Sequence, residues 1–359
     1  MKNLLITIII IAMGLSATFL YAGNTPVKNK KRTHSTIKNT MKSQVFLSLV
    51  EMNDKYGFID ISGKIVIQCQ YERAGEFSEG LAWVKMNGRY GFIDKNGNQI
   101  IKCKYKEVHD FSGGIVAVKE LSGYWSLLDK KGHDVLPISL DYDYVGDFSN
   151  GMADVRKDGL WGFIDMNGDE IIHCQYKNRN SFSEDRVLVV KENNNEIYLN
   201  KNGSQAIRFE YNQCGNFSEG LAYVLIDNNY GYIDKSGNVK ISCKYDGAHD
   251  FSCGRAKIEI NGKLGFIDKY GNIVIRPQFN TYNVGQKFSE GLIEIKGSSS
   301  DEWGFIDING DMVIPYFYEN AHSFQNGLAS VKKNGRWGFI NKAGEEVIPC
   351  IFDHAYDFK

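Results

Sequence analysis

Apolar and variable positions alternate along a short segment that recurs through most of the chain. In the copy at residues 81–85, the position of Ala82 stays apolar from copy to copy, whereas the position of Trp83 changes its chemistry. Later copies place Val116, Ala153, Leu188, Ala222, Ala256, Ile293 and Ala329 at the first position, and Ala117, Asp154, Val189, Tyr223, Lys257, Glu294 and Ser330 at the second. This period of two predicts a β-strand with one face in the core and the other toward water.

Two further strands are predicted in each copy. Phe58 and Ile59 are adjacent positions that are both apolar in every copy, which is typical of a strand covered on both faces. Residues 60–63 have the composition of a hairpin turn, and residues 64–67 form the returning strand. A second turn lies at residues 78–80. Each unit therefore has three short strands, too few to bury its apolar faces without neighbouring units.

The unit repeats nine times. The motif Gly-Phe/Tyr-Ile-Asp/Asn begins at Gly57, Gly91, Gly162, Gly231, Gly265, Gly304 and Gly338. Two degenerate copies lie at residues 126–129 and 197–200, and the mean spacing is about 35 residues. The sequence thus predicts an all-β array of nine three-stranded repeats over residues 45–359.

The path of this array has two candidate forms. We prefer an open superhelical stack, because about 35 residues is short of the roughly 40–50 residues of a propeller blade. A closed propeller-like ring is the alternative, since the two-sided burial predicted for Phe58 and Ile59 suits packed blades and the array contains whole units.

The repeat motif resembles that of a known bacterial family. Residues 161–165 and 303–307 read Trp-Gly-Phe-Ile-Asp, and residues 337–341 read Trp-Gly-Phe-Ile-Asn. These segments are similar to the WG-repeat family, and the resemblance covers residues 46–359. It implies an all-β repeat array that is often exported; it implies neither a catalytic residue nor a defined ligand.

The first residues have the pattern of a targeting segment. Residues 1–22 combine a basic start, an apolar run and a small residue before Gly23, which predicts a signal peptide. Residues 23–44 lack periodicity and predict a flexible basic linker. We therefore expect an exported protein, periplasmic or secreted; if the apolar segment stays uncleaved, it would instead anchor the chain in a membrane.

Charge is divided unevenly along the chain. Residues 1–45 carry seven basic residues and no acidic one, so the remainder has 35 basic and 43 acidic residues and a net charge of −8. An acidic body is a poor match for nucleic acid, whose binding depends on neutralised phosphates. The sequence therefore argues against a nucleic-acid partner.

The cysteines follow the repeat. Five of them share one position, which other units fill with Ile138, Phe209, Pro277 or Tyr316: Cys69, Cys103, Cys174, Cys243 and Cys350. That position favours apolar bulk, so we expect Cys174, Cys243 and Cys350 to be buried free thiols. A Cys69–Cys103 disulfide stays open, because these two belong to adjacent units. Cys214 and Cys253 lie elsewhere and are the expected reactive thiols.

No motif predicts catalysis, a cofactor or a metal. The Asp-x-Asn-Gly turns at residues 165–168 and 307–310 resemble fragments of calcium loops, but the closing glutamate is missing and turn chemistry explains them. His109-Asp110 and His249-Asp250 recur as part of the repeat, whereas an active site needs a unique constellation. We expect a non-enzymatic protein without a cofactor.

Aromatic residues supply the remaining candidates. The aromatic residue that precedes the motif glycine fits a core stripe better than a sugar-stacking ladder. Trp83 and Tyr223 occupy the position predicted to face water, so they are the predicted ligand-binding residues. We expect a scaffold that binds a protein partner; the alternative is a glycan or cell-wall binding module built on exposed aromatic residues.

Overall fold

The computed structural model describes residues 45–136, 140–298 and 300–359. Within them the chain forms nine antiparallel sheets of three or four strands, each of which is one blade of a ring. No helix in this part of the chain is long and apolar enough to cross a membrane. The predicted signal peptide (residues 1–22) and basic linker (residues 23–44) lie outside the described residues.

The strands are short and follow each other closely. The first third of the ring contains β1 (Leu47–Met52), β2 (Lys55–Asp60), β3 (Ile65–Tyr71), β4 (Arg73–Ala74), β5 (Leu81–Met86), β6 (Arg89–Asp94), β7 (Gln99–Tyr105), β8 (Glu107–Val108), β9 (Ile115–Lys119) and β10 (Trp125–Asp129). Next come β11 (Tyr144–Ser149), β12 (Met152–Lys157), β13 (Leu160–Asp165), β14 (Glu170–Tyr176), β15 (Asn178–Arg179), β16 (Arg186–Val190), β17 (Glu196–Asn200), β18 (Leu221–Ile226), β19 (Asn229–Asp234) and β20 (Val239–Tyr245). The last are β21 (Gly247–Ser252), β22 (Arg255–Ile260), β23 (Lys263–Ile267), β24 (Ile273–Phe279), β25 (Leu292–Lys296), β26 (Trp303–Asp307), β27 (Met312–Tyr318), β28 (Asn320–Ala321), β29 (Leu328–Lys333), β30 (Arg336–Asn341), β31 (Glu346–Phe352) and β32 (His354–Phe358), with one 3-10 turn at Thr281–Asn283.

Blade 1 closes the ring. Its strand order is β3-β2-β1-β32, so the last strand of the chain pairs with the first, with Ser48 opposite Phe358 and Val50 opposite Ala355. Blades 2 to 9 follow the chain as β4–β7, β8–β10, β11–β14, β15–β17, β18–β20, β21–β24, β25–β27 and β28–β31. The closed ring is confirmed, and the preferred open superhelical stack is wrong.

A short unit suffices for a propeller blade because the connection between blades is almost absent. Strand β3 ends at Tyr71 and β4 begins at Arg73, so only Glu72 separates the outer strand of one blade from the first strand of the next. Strand β4 is the short first strand of blade 2, and the sequence did not predict it. This extra strand explains why a blade can have four strands instead of the predicted three. In blades 6 and 8 it is reduced to single bridges, Cys214 with Val224 and Val284 with Ile295.

Aromatic pairs join neighbouring blades. The ring of Phe58, on the third strand of blade 1, lies 4.7 Å from the ring of Phe77, at the start of blade 2. Eight of the nine junctions in the described ring carry such a pair; the others are Phe92–Phe111, Phe163–Phe182, Tyr198–Phe217, Tyr232–Phe251, Phe266–Phe288, Phe305–Phe324 and Phe339–Phe358. The two-sided burial predicted for Phe58 and Ile59 is confirmed, since both are fully buried.

The motif Phe-Ser-Glu-Gly reinforces these junctions. The hydroxyl of Ser78 donates to the carbonyl of Phe111 in the next blade at 2.6 Å. The carboxylate of Glu79 accepts hydrogen bonds from the backbone amides of Gly113 and Gly114 and pairs with Lys130 at 2.9 Å. Equivalent serine contacts to the next blade are made by Ser149, Ser183, Ser218, Ser252 and Ser289. The second turn is therefore also a latch between blades.

The motif glycine is required by the outer strand. A Cβ atom on Gly231 would lie 2.5 Å from the carbonyl oxygen of Ile241, because the outer strand crosses directly over the glycine. The two degenerate repeats place Ser126 and Ile197 at this position. In the described part of these two blades, the outer strand is reduced to isolated bridges. Loss of the glycine therefore coincides with loss of a regular outer strand.

The turn after each motif is closed by its aspartate. In blade 6, one carboxylate oxygen of Asp234 accepts the backbone N–H groups of Ser236 at 2.9 Å and Asn238 at 3.0 Å. Asn341 accepts the corresponding bonds in blade 9, so the turn forms with an amide as well as with a carboxylate. These bonds are the turn chemistry that the sequence predicts.

Replacing Gly231 with alanine should lower the free energy of unfolding by about 1–3 kcal/mol, because the new methyl group would clash with the outer-strand backbone. Ser126→Ala is the matched control, since that position already carries a Cβ atom. Urea unfolding followed by tryptophan fluorescence measures both variants. Equal loss of stability in the two variants would contradict the role assigned to the glycine.

The turn at Asp234 makes stability depend on pH. Partial burial raises the pKa of its carboxyl group, but hydrogen bonds from Asn238 and Ser236 and the charge of Lys240 outweigh it and lower the pKa to about 2. Because the pKa in the folded state is lower than the unfolded value of about 3.9, the ionised carboxylate stabilises the fold above about pH 3.9. This stabilisation is lost as the pH falls toward 2.

Asp234→Asn should therefore unfold more easily than wild type at neutral pH, and the difference should shrink between about pH 4 and pH 2. Thermal unfolding across this range measures it. Asp227→Asn, in the opposite turn of the same blade, is the control. A difference for Asp234→Asn that stays constant with pH would rule out the charge as its origin.

Candidate functional site

The variable position represented by Trp83 is covered, and the prediction that it faces water is wrong. Asp154, Lys257, Glu294 and Ser330 occupy this position and are 5%, 8%, 9% and 1% exposed. The position is the middle of a three-residue row on one face of each blade, with one residue from each of the first three strands. In blade 2 the row consists of Gly75, Trp83 and Phe92. Ring closure covers this face with the next blade, which alternation within a single strand cannot reveal.

In several rows the members compensate for each other in size. A Cβ atom on Gly75 would lie 2.2 Å from the indole Nε1 of Trp83, so the large side chain fills the space above the glycine. Where the middle residue is small, the first-strand residue is large, as in the row of His322 and Ser330. The row is therefore a packing layer whose composition differs from blade to blade.

The two predicted ligand residues lie in such rows. Trp83 is partly buried, and its ring lies 5.7 Å from the ring of Tyr90. Tyr223 lies 6.0 Å from Tyr230, and burial raises the pKa of its hydroxyl to about 12. Both side chains are in separate blades, and their assignment as ligand-binding residues stays a prediction.

The row of blade 5 corrects one alignment. Trp83 pairs with Phe92 across the sheet, and the residue that pairs with Tyr198 in blade 5 is Leu188 rather than Val189. Arg186 replaces the leucine that opens this strand in other copies, so alignment by apolar residues shifts the copy by one position.

Buried charges in the rows have partners. The guanidinium of Arg179 donates to Asp154 at 2.9 Å through Nε and lies 4.0 Å above the ring of Trp161. The ammonium of Lys257 donates to the carbonyl of Gly285 at 3.1 Å. These charges hold adjacent blades together, as a buried charge is costly without a partner.

The histidines also contact neighbouring strands and not the residue that follows them. His109 lies 3.3 Å from the carboxylate of Asp147 in the next blade. His322 forms a hydrogen bond with Ser330 at 2.8 Å, and its ring stacks on Trp337 at 4.5 Å. In the repeated His-Asp sequence, the histidine is therefore a row residue, and the aspartate that follows it lies at the axis of the ring.

The residue before each first-strand aromatic residue faces the axis of the ring, and we call this the axial position. Its nine members are Glu76, Asp110, Asp147, Ser181, Asn216, Asp250, Lys287, Ser323 and Asp357. Four of them, from four blades, line one cavity, which locates this position at the axis. Five carboxylates face one axial ammonium group here, with a second ammonium from Lys359 beside them.

The axial carboxylates titrate differently from one another. Burial raises the pKa of Asp250 and of Asp357 to about 6. Burial and the neighbouring charge of Asp147 raise the pKa of Asp110. Burial acts in the same direction on Asp147, but the hydrogen bond from His109 outweighs it and lowers the pKa. Five carboxylates against two ammonium groups give the axis a negative charge.

A cavity of about 380 Å³ opens at the axis between blades 8, 9, 1 and 2. Its walls include Glu76, Lys287, His322 and Asp357, and the buried carboxylate of Glu294 reaches it from the row of blade 8. No sequence motif predicts this cavity, because its residues come from both ends of the array.

The cysteines are free in the structure. Cys69 and Cys103 are not bridged, and Cys174, Cys243 and Cys350 are free but half-buried rather than buried. The Cys103 thiol points through the gap above the motif glycine toward the carbonyl of Val84, 3.8 Å away. Cys214 is buried, and burial raises the pKa of its thiol, so its predicted reactivity is wrong; Cys253 is exposed.

The geometry defines a nine-bladed β-propeller built from one repeat. The family model described as WG containing repeat matches nine times, at residues 56–90, 90–125, 125–161, 161–195, 198–230, 230–263, 265–296, 303–337 and 337–359. The chain belongs to this WG-repeat family, which confirms the resemblance seen in the motifs.

Several solved structures are similar to the chain at low sequence identity. BamB from Moraxella catarrhalis is 12% identical with a TM-score of 0.42, covering 83% of this chain and 92% of that one. AztD from Citrobacter koseri is 8% identical with a TM-score of 0.45, covering 88% and 96%. The designed protein Ika8 is 13% identical with a TM-score of 0.43, covering 74% and 94%. No curated protein matches the sequence, and these similarities carry no information about a ligand.

Alkylation of the native protein should label Cys253 first and leave Cys214 unlabelled, since only the former is exposed. After unfolding without reductant, all seven cysteines should react, because none is bridged. Peptide mass spectrometry after iodoacetamide treatment measures both states. Native labelling of Cys214 at the rate of Cys253, or a thiol that needs reductant, would contradict the structure.

Proposed function

We propose that this protein is an exported, non-enzymatic scaffold whose axial face binds a basic segment of a protein partner. The observation that carries the proposal is the axial position itself. The aromatic pairs, latches and turns repeat around the ring, whereas the axial residues differ in charge and size from blade to blade. Variation on a constant frame is the pattern of a binding surface.

Charge supports a basic partner. Asp110 and Asp147 lie on adjacent blades, where the amide of Asp110 donates to the Asp147 carboxylate at 3.1 Å, and Asp250 has a buried oxygen with no hydrogen-bond partner among the described residues. Carboxylates held close together gain most from a lysine or arginine side chain. The apolar run at residues 1–22 supports export.

A glycan or cell-wall ligand is the second candidate. The polar cavity at the axis favours it, and Trp83 and Tyr223 are the residues that the sequence suggests for it. Both proposals are for a binding protein, and no described cluster suggests acid–base work.

A fluorescent decalysine peptide tests the basic-partner proposal. Replacing Asp110, Asp147 and Asp250 together with asparagine should weaken binding about tenfold, because three opposing charges are removed. Raising the salt from about 50 to about 300 mM should also weaken binding to wild type.

The control variant replaces Asp54, Asp158 and Asp227 with asparagine, since these exposed residues lie in turns away from the axis. Fluorescence anisotropy measures all three proteins. Equal affinity of the two variants would remove the axial face as the binding surface. Retention on cell-wall polymer that is lost in Trp83→Ala with Tyr223→Ala would favour the glycan alternative.

A further inference from the structure

The axial cavity between blades 8, 9, 1 and 2 has the size of a small-molecule site. Its volume of about 380 Å³ is at the lower end of the roughly 300–1,000 Å³ that ligand pockets occupy. Four consecutive blades contribute to its walls, including the first and the last in the chain. The cavity therefore exists only in the closed ring.

The most buried group of the lining is the carboxylate of Glu294, whose donors are few: the hydroxyl of Ser323 and its own backbone N–H. Glu294 is 9% exposed, and the hydroxyl of Ser323 lies 3.4 and 3.3 Å from its two oxygens. A hydroxyl carries one proton, so it satisfies one of these oxygens at a time, whereas a carboxylate can accept about four hydrogen bonds. A buried acceptor with spare capacity favours a ligand that donates hydrogen bonds.

Charges around the cavity are balanced. Glu76 forms an ion pair with Lys359. The charge of Lys257, which is outside the cavity lining, acts on Glu294. Lys287 lines the cavity, and its charge also acts on Asp250 of blade 7. A cation or an anion would gain little net attraction here, in contrast to the acidic axis at blades 3 and 4. The cavity therefore suits an uncharged ligand.

The other walls supply both donors and acceptors in fixed positions. The side-chain amide of Gln325 donates to Asp357 at 2.8 Å, which leaves its oxygen as an acceptor. His322 is held by Ser330 and by stacking on Trp337. Tyr356 adds one aromatic ring to the lining. Carboxylates, amides and a hydroxyl around one aromatic ring match the alternating hydroxyl groups of a sugar.

We propose that this cavity binds one neutral pyranose unit, with Glu294 and Asp357 accepting hydrogen bonds from adjacent sugar hydroxyl groups. The site is separate from Asp110, Asp147 and Asp250, the carboxylates whose replacement tests the protein partner, and from Trp83 and Tyr223. It rests on the glycan candidate, for which it names a neutral sugar and its binding site, and it does not depend on the protein-partner proposal.

Saturation-transfer NMR on the full chain tests this proposal with glucose, galactose, mannose and N-acetylglucosamine as probes. At least one of these sugars should receive saturation from wild type. The double variant Gln325→Ala with Asp357→Asn should bind that sugar roughly tenfold more weakly, since the Gln325 amide is lost and one acceptor oxygen of Asp357 is replaced by a donor. Glu294→Gln should weaken it in the same direction.

Asn216→Ala is the matched control, because Asn216 holds the axial position of blade 6 outside the cavity lining. Thermal unfolding confirms that each variant is folded, and the double variant replaces only partly exposed groups. Four results would each overturn the proposal: no transfer to any probe, equal affinity in the double variant and the control, loss only in Trp83→Ala with Tyr223→Ala, or binding of spermidine without binding of a sugar.

Discussion

The aromatic pair between neighbouring blades is the interaction on which the rest of the ring depends. Burying a phenylalanine side chain contributes about 1.5–3 kcal/mol, and a packed aromatic pair adds roughly 0.5–1.5 kcal/mol. The closing junction uses the same contact, since Phe339 and Phe358 lie 4.8 Å apart. At the junction of blades 3 and 4 the aromatic pair is Trp125 with Tyr144, 6.0 Å apart, and the positions used at the other junctions hold Leu127 and Phe148, which share one buried cluster. Each blade therefore becomes stable through its neighbours.

The contacts that hold the blades together repeat around the ring, whereas the residue at the axial position varies. The motif serine, the motif glutamate and the turn aspartate form hydrogen bonds with backbone groups at the edges of each blade. The three-residue rows fill the space between blades by exchanging size among their members, as Gly75 and Trp83 show. The serine, glutamate and aspartate contacts do not involve the residue before the first-strand aromatic, whereas some row residues contact it, as His109 contacts Asp147. Charge and size differ at this position from blade to blade within one fold, which is why the proposed recognition is assigned to the axis.

Much of the architecture was predictable from local pattern. Hydrophobic alternation, the paired apolar residues at Phe58 and Ile59, and the Asp-x-x-Gly turns predict three strands in each unit, and all three occur. The short first strand was missed because residues 72–77 contain few apolar side chains and look like a connection. The motif glycine carried a further signal: its replacement at Ser126 and Ile197 marks the two blades without a regular outer strand.

The sequence by itself determined the repeat, its strands and turns, and the family, because these depend on contacts within about 35 residues. Only the tertiary structure decided that the array closes, since closure depends on pairing Ser48 with Phe358 across the whole chain. Closure in turn covers the position of Trp83, which alternation assigns to water, and it brings Glu76 and Glu294 to the same cavity. Burial and charge at the candidate sites arise from neighbours that no single repeat contains.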